Sequence, residues 1–275
     1  MKRAILSDIH GNLPALESVL AHASQLGVDE YIFTGDMVGH GPNPEGCIER
    51  LRTFNIIGIK GNNDKVLLTN DSNHDFYQVE ANISLKWAKD QLSSESLDWL
   101  KRQLSDSALL LNQFLTVVHG TLMDPTGDYT YMYDNDSNIK MSLRSLKTSI
   151  GLFGHTHRPV IYMALPKPPP FLFSFITTIP KYTPSGDIGE YVFNYAEDVE
   201  MGKKILACAG SIGQPRDRDS RTSYLIIDDK KNELQYFRIP YDLQAVFDDF
   251  EKIRAQYPKD SEIIDDCIRR LEQGI

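Results

Sequence analysis

The sequence predicts an α/β fold in which strands alternate with helices and polar residues follow the strands. Residues 4–6, 31–34 and 56–59 are short uncharged runs with the composition of buried strands. The first two runs are followed by segments whose apolar residues have helical spacing. Hydrophobic residues make up 41% of the 275 residues, which is enough for a well-formed core. Alternation of this kind predicts a mostly parallel sheet with right-handed crossovers.

The first strand leads into Asp8 and His10, which are two residues apart on extended chain. Side chains at that spacing point the same way, so both can face one point. Asn12 then has the character of a helix N-cap, and Pro14 suits the first helical turn. The segment 4–23 therefore predicts a strand, a polar loop and a helix.

The next two strands also end in polar loops. Residues 35–41 place Asp36 between glycines, ahead of a helix predicted to start near Pro44. The third strand leads into Gly61, Asn62, Asn63 and Asp64. Open α/β sheets keep their binding sites at the carboxyl ends of strands, so these loops predict a site.

The middle of the chain is predicted to be helical and then to form strands. Residues 76–104 have helical spacing throughout, with Trp87 and Trp99 packed inward. Residues 109–111 and 114–118 predict a hairpin with a two-residue turn at Asn112 and Gln113. A polar, tyrosine-rich loop at 128–138 and a helix around 140–149 follow. Strands are predicted at 150–153 and 160–164.

The last third contains a proline-rich segment and a helical tail. Residues 165–192 interleave prolines with aromatic residues, which excludes a central strand or helix and predicts an inserted loop or edge flap. A lid or a homo-oligomer contact through this insertion is an open alternative. Strands follow at 204–209, 223–227 and 233–239, the last two antiparallel. We therefore expect one domain over 1–240, with 241–275 as a helical extension packed on it.

Composition limits the classes of partner. The net charge of −9 argues against long nucleic acid and anionic membranes as partners. The sequence has no run long enough for a membrane span and no signal-peptide pattern. Cys47, Cys208 and Cys267 have no zinc or redox spacing and are expected to be reduced, buried thiols. These features favour a cytoplasmic protein.

Five strand ends carry polar side chains next to a glycine. The set combines imidazoles and carboxylates without thiolates, which suits first-row divalent metals. It is too large for one tetrahedral site and fits two five- or six-coordinate ions that share a carboxylate. The candidate metal ligands are Asp8, His10, Asp36, Asn62, His119, His155 and His157.

The order of these motifs (Asp-x-His, Gly-Asp, Gly-Asn-x-Asp, His-Gly, Gly-His-x-His) resembles that of the calcineurin-like metallophosphoesterases. The resemblance covers Ile5 to about Pro240, and residues 210–216 further resemble small bacterial phosphoesterases of that superfamily. It implies a four-layer αββα sandwich with two mixed β-sheets. By position, Asp8, His10, Asp36 and His157 would hold one ion. Asp36, Asn62, His119 and His155 would hold the second, with Asp36 as the bridge.

The resemblance implies a phosphoesterase that needs two divalent transition-metal ions. Manganese or iron is expected, and zinc, nickel or cobalt also suit the ligands. A metal-bridging hydroxide would attack a small phosphodiester or nucleotide-type ester in line. Alternatives are a phosphoprotein phosphatase, a dinucleoside polyphosphate phosphatase and a non-catalytic scaffold for protein contacts.

Asn63 and His40 depart from patterns found in the superfamily. Many members carry histidine at the position of Asn63, and an amide cannot serve as a general acid. We therefore expect a preference for phosphodiesters over alkyl monoesters. His40 stands where phosphoprotein phosphatases place an arginine, and it can contact substrate, partly replace the acid, or belong only to the loop.

Three other polar residues complete the candidate site. Asp64 is expected to orient a site histidine, since metal-bound imidazoles usually have such partners. Arg216 and, more weakly, Arg218 are expected to touch the substrate phosphate. The predicted catalytic group is Asp36, His40, Asn62, Asn63 and Asp64, and the predicted substrate contacts are His40, Asn63 and Arg216.

Overall fold

Two mixed β-sheets form the centre of the fold. The computed structural model describes residues 1–69, 79–128, 130–132, 136–164, 174–182 and 187–275. The strands are β1 (Lys2–Leu6), β2 (Glu30–Phe33), β3 (Ile56–Ile59), β4 (Leu104–Ser105), β5 (Leu109–Leu111), β6 (Leu115–Val117), β7 (Ile150–Phe153), β8 (Val160–Ala164), β9 (Phe175–Thr178), β10 (Gly189–Asn194), β11 (Ile205–Cys208), β12 (Thr222–Asp228) and β13 (Glu233–Ile239). A seven-stranded sheet has the order β10-β13-β12-β1-β2-β3-β4, and a six-stranded sheet has the order β5-β6-β7-β11-β8-β9.

Helices cover the outer faces of these sheets. They are α1 (Leu13–Gln25), α2 (Pro44–Leu51), α3 (Asn62–Thr69), α4 (Val79–Gln91), α5 (Ser94–Gln103), α6 (Asp136–Ser145), α7 (Ala196–Glu200), α8 (Leu243–Gln256) and α9 (Ser261–Gln273). Asn12 caps α1 as predicted, because its side chain accepts the backbone N–H of Ala15. α2 begins at Pro44, also as predicted.

Three hydrophobic cores separate four layers. One core packs α1, α2 and α5 against the outer face of the seven-stranded sheet, through residues such as Leu16 and Leu100. The second lies between the sheets, where Ile5 and Ile32 share a cluster with Leu152. The third packs Leu143 of α6 on the outer face of the six-stranded sheet. The four-layer αββα sandwich is therefore confirmed.

The prediction of a mostly parallel sheet is wrong beyond the first βα units. β1, β2, β3 and β4 are parallel, but β1 also pairs antiparallel with β12. The six-stranded sheet likewise combines parallel pairs (β6–β7, β7–β11) with antiparallel ones (β5–β6, β8–β11, β8–β9). Helical crossovers enforce parallel pairing only for the strands that they connect, whereas the hairpin of β12 and β13 adds antiparallel strands at the same sheet.

The prediction that 76–104 is helical throughout is wrong at residues 92–93 and at Leu104. α4 ends at Gln91, and Ser93 starts α5 by accepting the N–H of Ser96 with its side chain. Leu104 and Ser105 leave the helix and pair with β3. A local cap and a sheet partner thus override the continuous apolar periodicity. The start of the predicted helix, up to residue 78, lies outside the described residues.

The predicted hairpin forms. Asn112 and Gln113 take φ of 52° and 56° between β5 and β6, and the N–H of Phe114 donates to the carbonyl of Leu111. The helix expected at 140–149 spans Asp136–Ser145 instead. Trp87 is fully buried and Trp99 partly buried.

Both described strands of the 165–192 segment lie at sheet edges, where proline-rich chain can still pair. β9 is the edge of the six-stranded sheet and β10 the edge of the seven-stranded sheet. The prolines and aromatic residues at 166–173 lie outside the described residues. A lid or oligomer contact here stays a prediction.

The C-terminal helices α8 and α9 share a core with Trp87, formed by residues such as Phe250, Ile264 and Leu271. Cys47, Cys208 and Cys267 are buried thiols, as expected. In the described part of the chain, no helix has both the length and the apolarity to span a bilayer.

Candidate metal centre

The predicted ligands converge where strands of both sheets end. Asp8 follows β1, Asp36 follows β2, and Asn62 starts α3 directly after β3. His119 follows β6, and His155 and His157 follow β7 in the other sheet. Because β1–β3 run parallel and β6–β7 run parallel, these loops collect at one edge of the sandwich.

Asp8, His10 and His157 form the first group of potential ligands. His157 Nε2 lies 3.2 Å from Asp8 Oδ1, and His10 Nε2 lies 3.8 Å from the same oxygen. The two imidazole nitrogens, His10 Nε2 and His157 Nε2, are 3.1 Å apart. All three side chains are buried.

Asp36, His119 and His155 form the second group. His119 Nε2 lies 3.4 Å from Asp36 Oδ2 and 3.2 Å from the side-chain oxygen of Asn62. Among the described residues, Nε2 of His155 is buried without a hydrogen-bond partner. Asn62 thus joins the group as predicted.

Backbone carbonyls fix the tautomers of three of these histidines. Nδ1 of His10 lies 2.9 Å from the carbonyl of Val38, Nδ1 of His119 lies 2.8 Å from that of Thr34, and Nδ1 of His157 lies 2.6 Å from that of Gln214. A carbonyl only accepts, so each Nδ1 carries a proton, and at His10 and His157 the neutral ring presents a lone pair at Nε2. The lone pairs of His10 and His157 therefore face each other at 3.1 Å, which calls for a positive charge at that point. The residues fit a bound cation.

The electrostatics show the same demand for positive charge. Burial alone would lower the pKa of His119, but Asp36 raises it to about 9, which places a proton on Nε2 between the oxygens of Asp36 and Asn62. Burial and His157 lower the pKa of His10 to about 4. Against the effect of its own burial, the imidazoles around Asp8 hold the pKa of that carboxyl down at about 2. A divalent cation at the position of this proton would balance the negative charge of Asp36 in the same way.

Asp36 lies between the two groups. Its Oδ2 is 3.7 Å from His10 Nε2 of the first group and 3.4 Å from His119 Nε2 of the second. Its Oδ1 accepts the backbone N–H of Asn63 at 2.9 Å, at the N-terminal end of α3, where the helix dipole favours a negative charge. This placement is the one that a bridging carboxylate needs.

A family model described as the calcineurin-like phosphoesterase superfamily domain matches residues 1–232. The chain belongs to this superfamily. It is 26% identical to the uncharacterized protein MJ0912 of Methanocaldococcus jannaschii over 91% of this chain and 92% of that one. It is 29% identical to phosphodiesterase YfcE of Escherichia coli over 58% of this chain and 71% of that one.

Solved structures match along the whole chain. The metallophosphoesterase from Sphaerobacter thermophilus superposes with a TM-score of 0.76 at 26% identity, over 100% of this chain and 99% of that one. The hypothetical protein PH1004 from Pyrococcus horikoshii shares the fold, with a TM-score of 0.68 at 19% identity, over 100% of this chain and 98% of that one.

This phosphoesterase chain places left-handed backbone at the predicted ligands themselves. Positive φ occurs at Asp8 (50°), His10 (48°), Asp36 (62°), His155 (67°) and His157 (57°). The neighbouring Gly11 (60°) and Gly35 (104°) share this conformation. Gly61 instead permits close approach, because a Cβ there would collide with the backbone nitrogen and the carboxylate of Asp36.

Asp64 accepts hydrogen bonds from the Asp36 loop and, among the described residues, none from a histidine, so the prediction that it orients a histidine is wrong. Its Oδ1 accepts the backbone N–H groups of Met37 (2.8 Å) and Val38 (3.2 Å). Its Oδ2 accepts those of Asp36 and Gly61, both at 3.0 Å. Asp64 is fully buried, which removes it from direct contact with substrate. It is a positioning residue for the loop that carries Asp36.

The loop at 210–216 braces the first ligand group, a role that its sequence did not reveal. Ser211 Oγ donates to the carbonyl of Asp8 at 2.9 Å, and the N–H of Gly213 donates to the same carbonyl at 2.8 Å. The carbonyl of Gln214 accepts from His157 Nδ1. In the sequence, residues 210–216 carry a family resemblance only, and the fold shows what the loop touches.

Asn63 and His40 occupy different positions around the ligands. The Asn63 side chain is buried and donates to Asp36 Oδ2 at 2.6 Å, so its donor points to the carboxylate. His40 packs edge-on against His10, with ring centroids 4.7 Å apart, and is partly exposed. Burial and the neighbouring charges of His10 and Arg216 lower the pKa of His40 well below its ordinary value.

Arg216 and Tyr131 complete the surroundings. Arg216 Nη2 donates to the side chain of Gln214 at 2.7 Å, and within the described residues its buried Nε has no hydrogen-bond partner. Tyr131 stacks on His155 with ring centroids 3.8 Å apart and is 52% exposed. The polar loop around Tyr131 was noted in the sequence without a role, and no spacing rule connects it to His155.

Proposed function

We propose that this chain is a phosphodiesterase that works with two divalent transition-metal ions. The observation that carries the proposal is the pair of facing nitrogens, His10 Nε2 and His157 Nε2, at 3.1 Å. Their Nδ1 atoms are both committed to carbonyls, so the buried lone pairs need a cation. A scaffold for protein contacts gives no reason to bury them this way.

The two groups suggest how the ions would be shared. Asp8, His10 and His157 would hold one ion. Asn62, His119 and His155 would hold the other ion, and Asp36 would contact both. Manganese or iron is expected, and zinc, nickel and cobalt also suit these ligands. When bound, two such ions polarise phosphoryl oxygens and lower the pKa of water.

The remaining residues would orient substrate and ligands. Arg216 would bind non-bridging phosphate oxygens, because its guanidinium has an unused buried donor and lies within electrostatic range of Asp8 and Asp36. His40 would contact the ester group from the rim beside His10. Asp64 keeps the Asp36 loop in place through its four backbone hydrogen bonds.

The preference for diesters follows from Asn63. Its amide cannot transfer a proton, and one of its two N–H donors is already bonded to Asp36. Alkyl monoesters have basic leaving groups, which depend most on an acid, so diesters with acidic leaving groups should react faster. Rates on bis(p-nitrophenyl) phosphate compared with serine phosphate and sugar phosphates test this. Faster alkyl monoesters would contradict the preference.

Chelation and reloading test the metal requirement. The full chain should hydrolyse bis(p-nitrophenyl) phosphate with Mn²⁺, lose turnover after chelation and regain it on reloading. Asp36→Asn should abolish turnover, because it removes the shared carboxylate. Asp98→Asn makes the same change at an exposed site on α5 and should behave as wild type. Full turnover in Asp36→Asn, or none with any of the metals named, would overturn the proposal.

A further inference from the structure

A groove beside the metal centre opens on the outer face of the six-stranded sheet. β7 and β11 are parallel, and β7 ends at His155 and His157. β8 is antiparallel to β11, so it begins at that edge, and β9 is antiparallel to β8, so it ends there. The start of β8 and the end of β9 therefore border the same edge as the predicted ligands.

The floor of the groove is apolar and aromatic. Val160, Tyr162 and Phe175 line it from the strands, and Ile139 lines it from α6. The rings of Tyr162 and Phe175 meet edge to face with centroids 5.6 Å apart. The volume of about 510 Å³ is in the range of small-molecule sites.

One wall of the groove is cationic in a chain whose net charge is −9. Arg158, Arg216 and Arg218 line it together with Asp217. The carboxylate of Asp217 is paired with Arg238, so the arginines dominate the local charge. An apolar, aromatic floor suits an aromatic ring, and a cationic wall suits an anion. The groove therefore suits a ligand that carries both groups.

Arg216 connects the groove to the metal centre. Arg216 lines the groove and donates a hydrogen bond to the side chain of Gln214. The backbone carbonyl of Gln214 in turn fixes the tautomer of His157. Arg158 directly follows His157, and its Nε donates to the carbonyl of Arg216 at 2.6 Å. A phosphate at the predicted ligands would thus have this groove as its neighbour.

We infer that the groove binds the nucleoside part of a nucleotide ester whose phosphate lies at the metal centre. The base would lie on the floor of Val160, Tyr162 and Phe175, and a further phosphate would meet Arg218 on the same wall as Arg216. The inference rests on the proposed function and narrows its substrate class to small nucleotides.

Two ligands that differ only in the nucleoside test the inference. Adenosine 5′-(α,β-methylene)diphosphate carries the base, whereas methylenediphosphonate carries the same P–C–P group alone. Calorimetric titration of the Mn²⁺-loaded full chain measures both affinities without turnover. Since stacking on aromatic and apolar surface contributes on the order of 1–3 kcal/mol per base, the nucleotide should bind at least about tenfold more tightly.

A matched pair of variants on and next to β9 locates the effect. Ile179 lines the groove and is 67% exposed, whereas Ile176 is 44% exposed and pairs with Met163 of the inter-sheet core. Both tolerate glutamate because both are exposed, but only Ile179→Glu places a negative charge in the groove. Ile179→Glu should remove the tenfold advantage of the nucleotide and leave methylenediphosphonate unchanged. Ile176→Glu should keep the advantage.

The outcomes separate the two proposals. Equal affinity of the two ligands for wild type, or equal loss in the two variants, overturns the groove inference and leaves the phosphodiesterase in place. If methylenediphosphonate fails to bind the Mn²⁺-loaded chain, the proposed metal centre fails and the inference fails with it.

Discussion

Ser7→Ala removes one buried hydroxyl that holds a predicted metal ligand. Ser7 Oγ donates to Asp8 Oδ2 and accepts from Thr34 Oγ at 2.6 Å, and Ser7 is fully buried. The variant keeps the shape of the site and loses only these contacts. The variant therefore measures how much the stability and the metal affinity at Asp8 depend on a hydrogen-bond partner that is not itself a predicted ligand.

The structure sets the size of the effect. A hydrogen bond to a charged group contributes about 1.5–3 kcal/mol, so unfolding of the metal-free variant should need less free energy by about that amount. In this variant the Thr34 hydroxyl can still donate to the carbonyl of Leu6 at 3.4 Å, so no buried donor is left without an acceptor. Partners of metal ligands typically contribute about 10–100-fold in metal affinity, and a loss in this range is expected for the ion held by Asp8.

Urea unfolding and competition with a chromophoric chelator measure the two quantities. Ser96→Ala is the matched control, because Ser96 is equally buried and its hydroxyl has no hydrogen-bond partner in the part of the chain that the structure describes. It should leave both stability and metal affinity close to wild type. If Ser7→Ala behaves like Ser96→Ala in both assays, the assigned role of Ser7 is refuted.

Three other perturbations have defined outcomes. His157→Ala removes one of the three ligands of the first group, so elemental analysis should find one ion fewer per chain, and two retained ions would contradict the grouping. Gly61→Ala should displace Asp36 and reduce turnover about 100-fold or more. Gly151→Ala is the control and should keep turnover, because its added Cβ would meet only the flexible ends of leucine side chains. Equal rates in the two variants would refute the close approach at Gly61. Burial lowers the pKa of His22 below its ordinary 6.5, so the unfolded state takes up the proton first and stability falls as the pH drops below that value. His22→Gln should reduce this fall in urea unfolding between neutral and mildly acidic pH, and an unchanged difference would contradict the role of His22.

The elements with local signals could be predicted from the sequence. The Asn12 cap, the β3 strand and the β13 strand appear where the pattern placed them. The convergence of the ligands was also predictable, because strand-end loops of parallel strands share an edge. Each of these needs only neighbouring residues or a general rule of sheet geometry.

Features that depend on a distant partner could not be predicted. The end of α5 at Leu104 depends on pairing with Gly58 of β3, which no local signal announces. Asp64 reaches the backbone of the Asp36 loop, a contact across 28 residues that no spacing announces. The groove between β8 and β9 exists only once the two strands pair at the edge of the sheet.

Several predicted ligand residues have left-handed backbone, and this conformation shows how the fold positions the candidate metal centre. Non-glycine residues in this conformation cost about 1–2 kcal/mol each, so Asp8, His10 and Asp36 need compensating contacts. The loops supply them to each other: the N–H of Asp8 donates to the carbonyl of Gly35 at 2.9 Å, and that of His10 to the carbonyl of Asp36 at 3.1 Å. Because these bonds are made between backbones, they hold the side chains without any help from a cation. The positions of the predicted ligands are therefore set by the fold, and a cation would add its binding energy to a site that is already assembled.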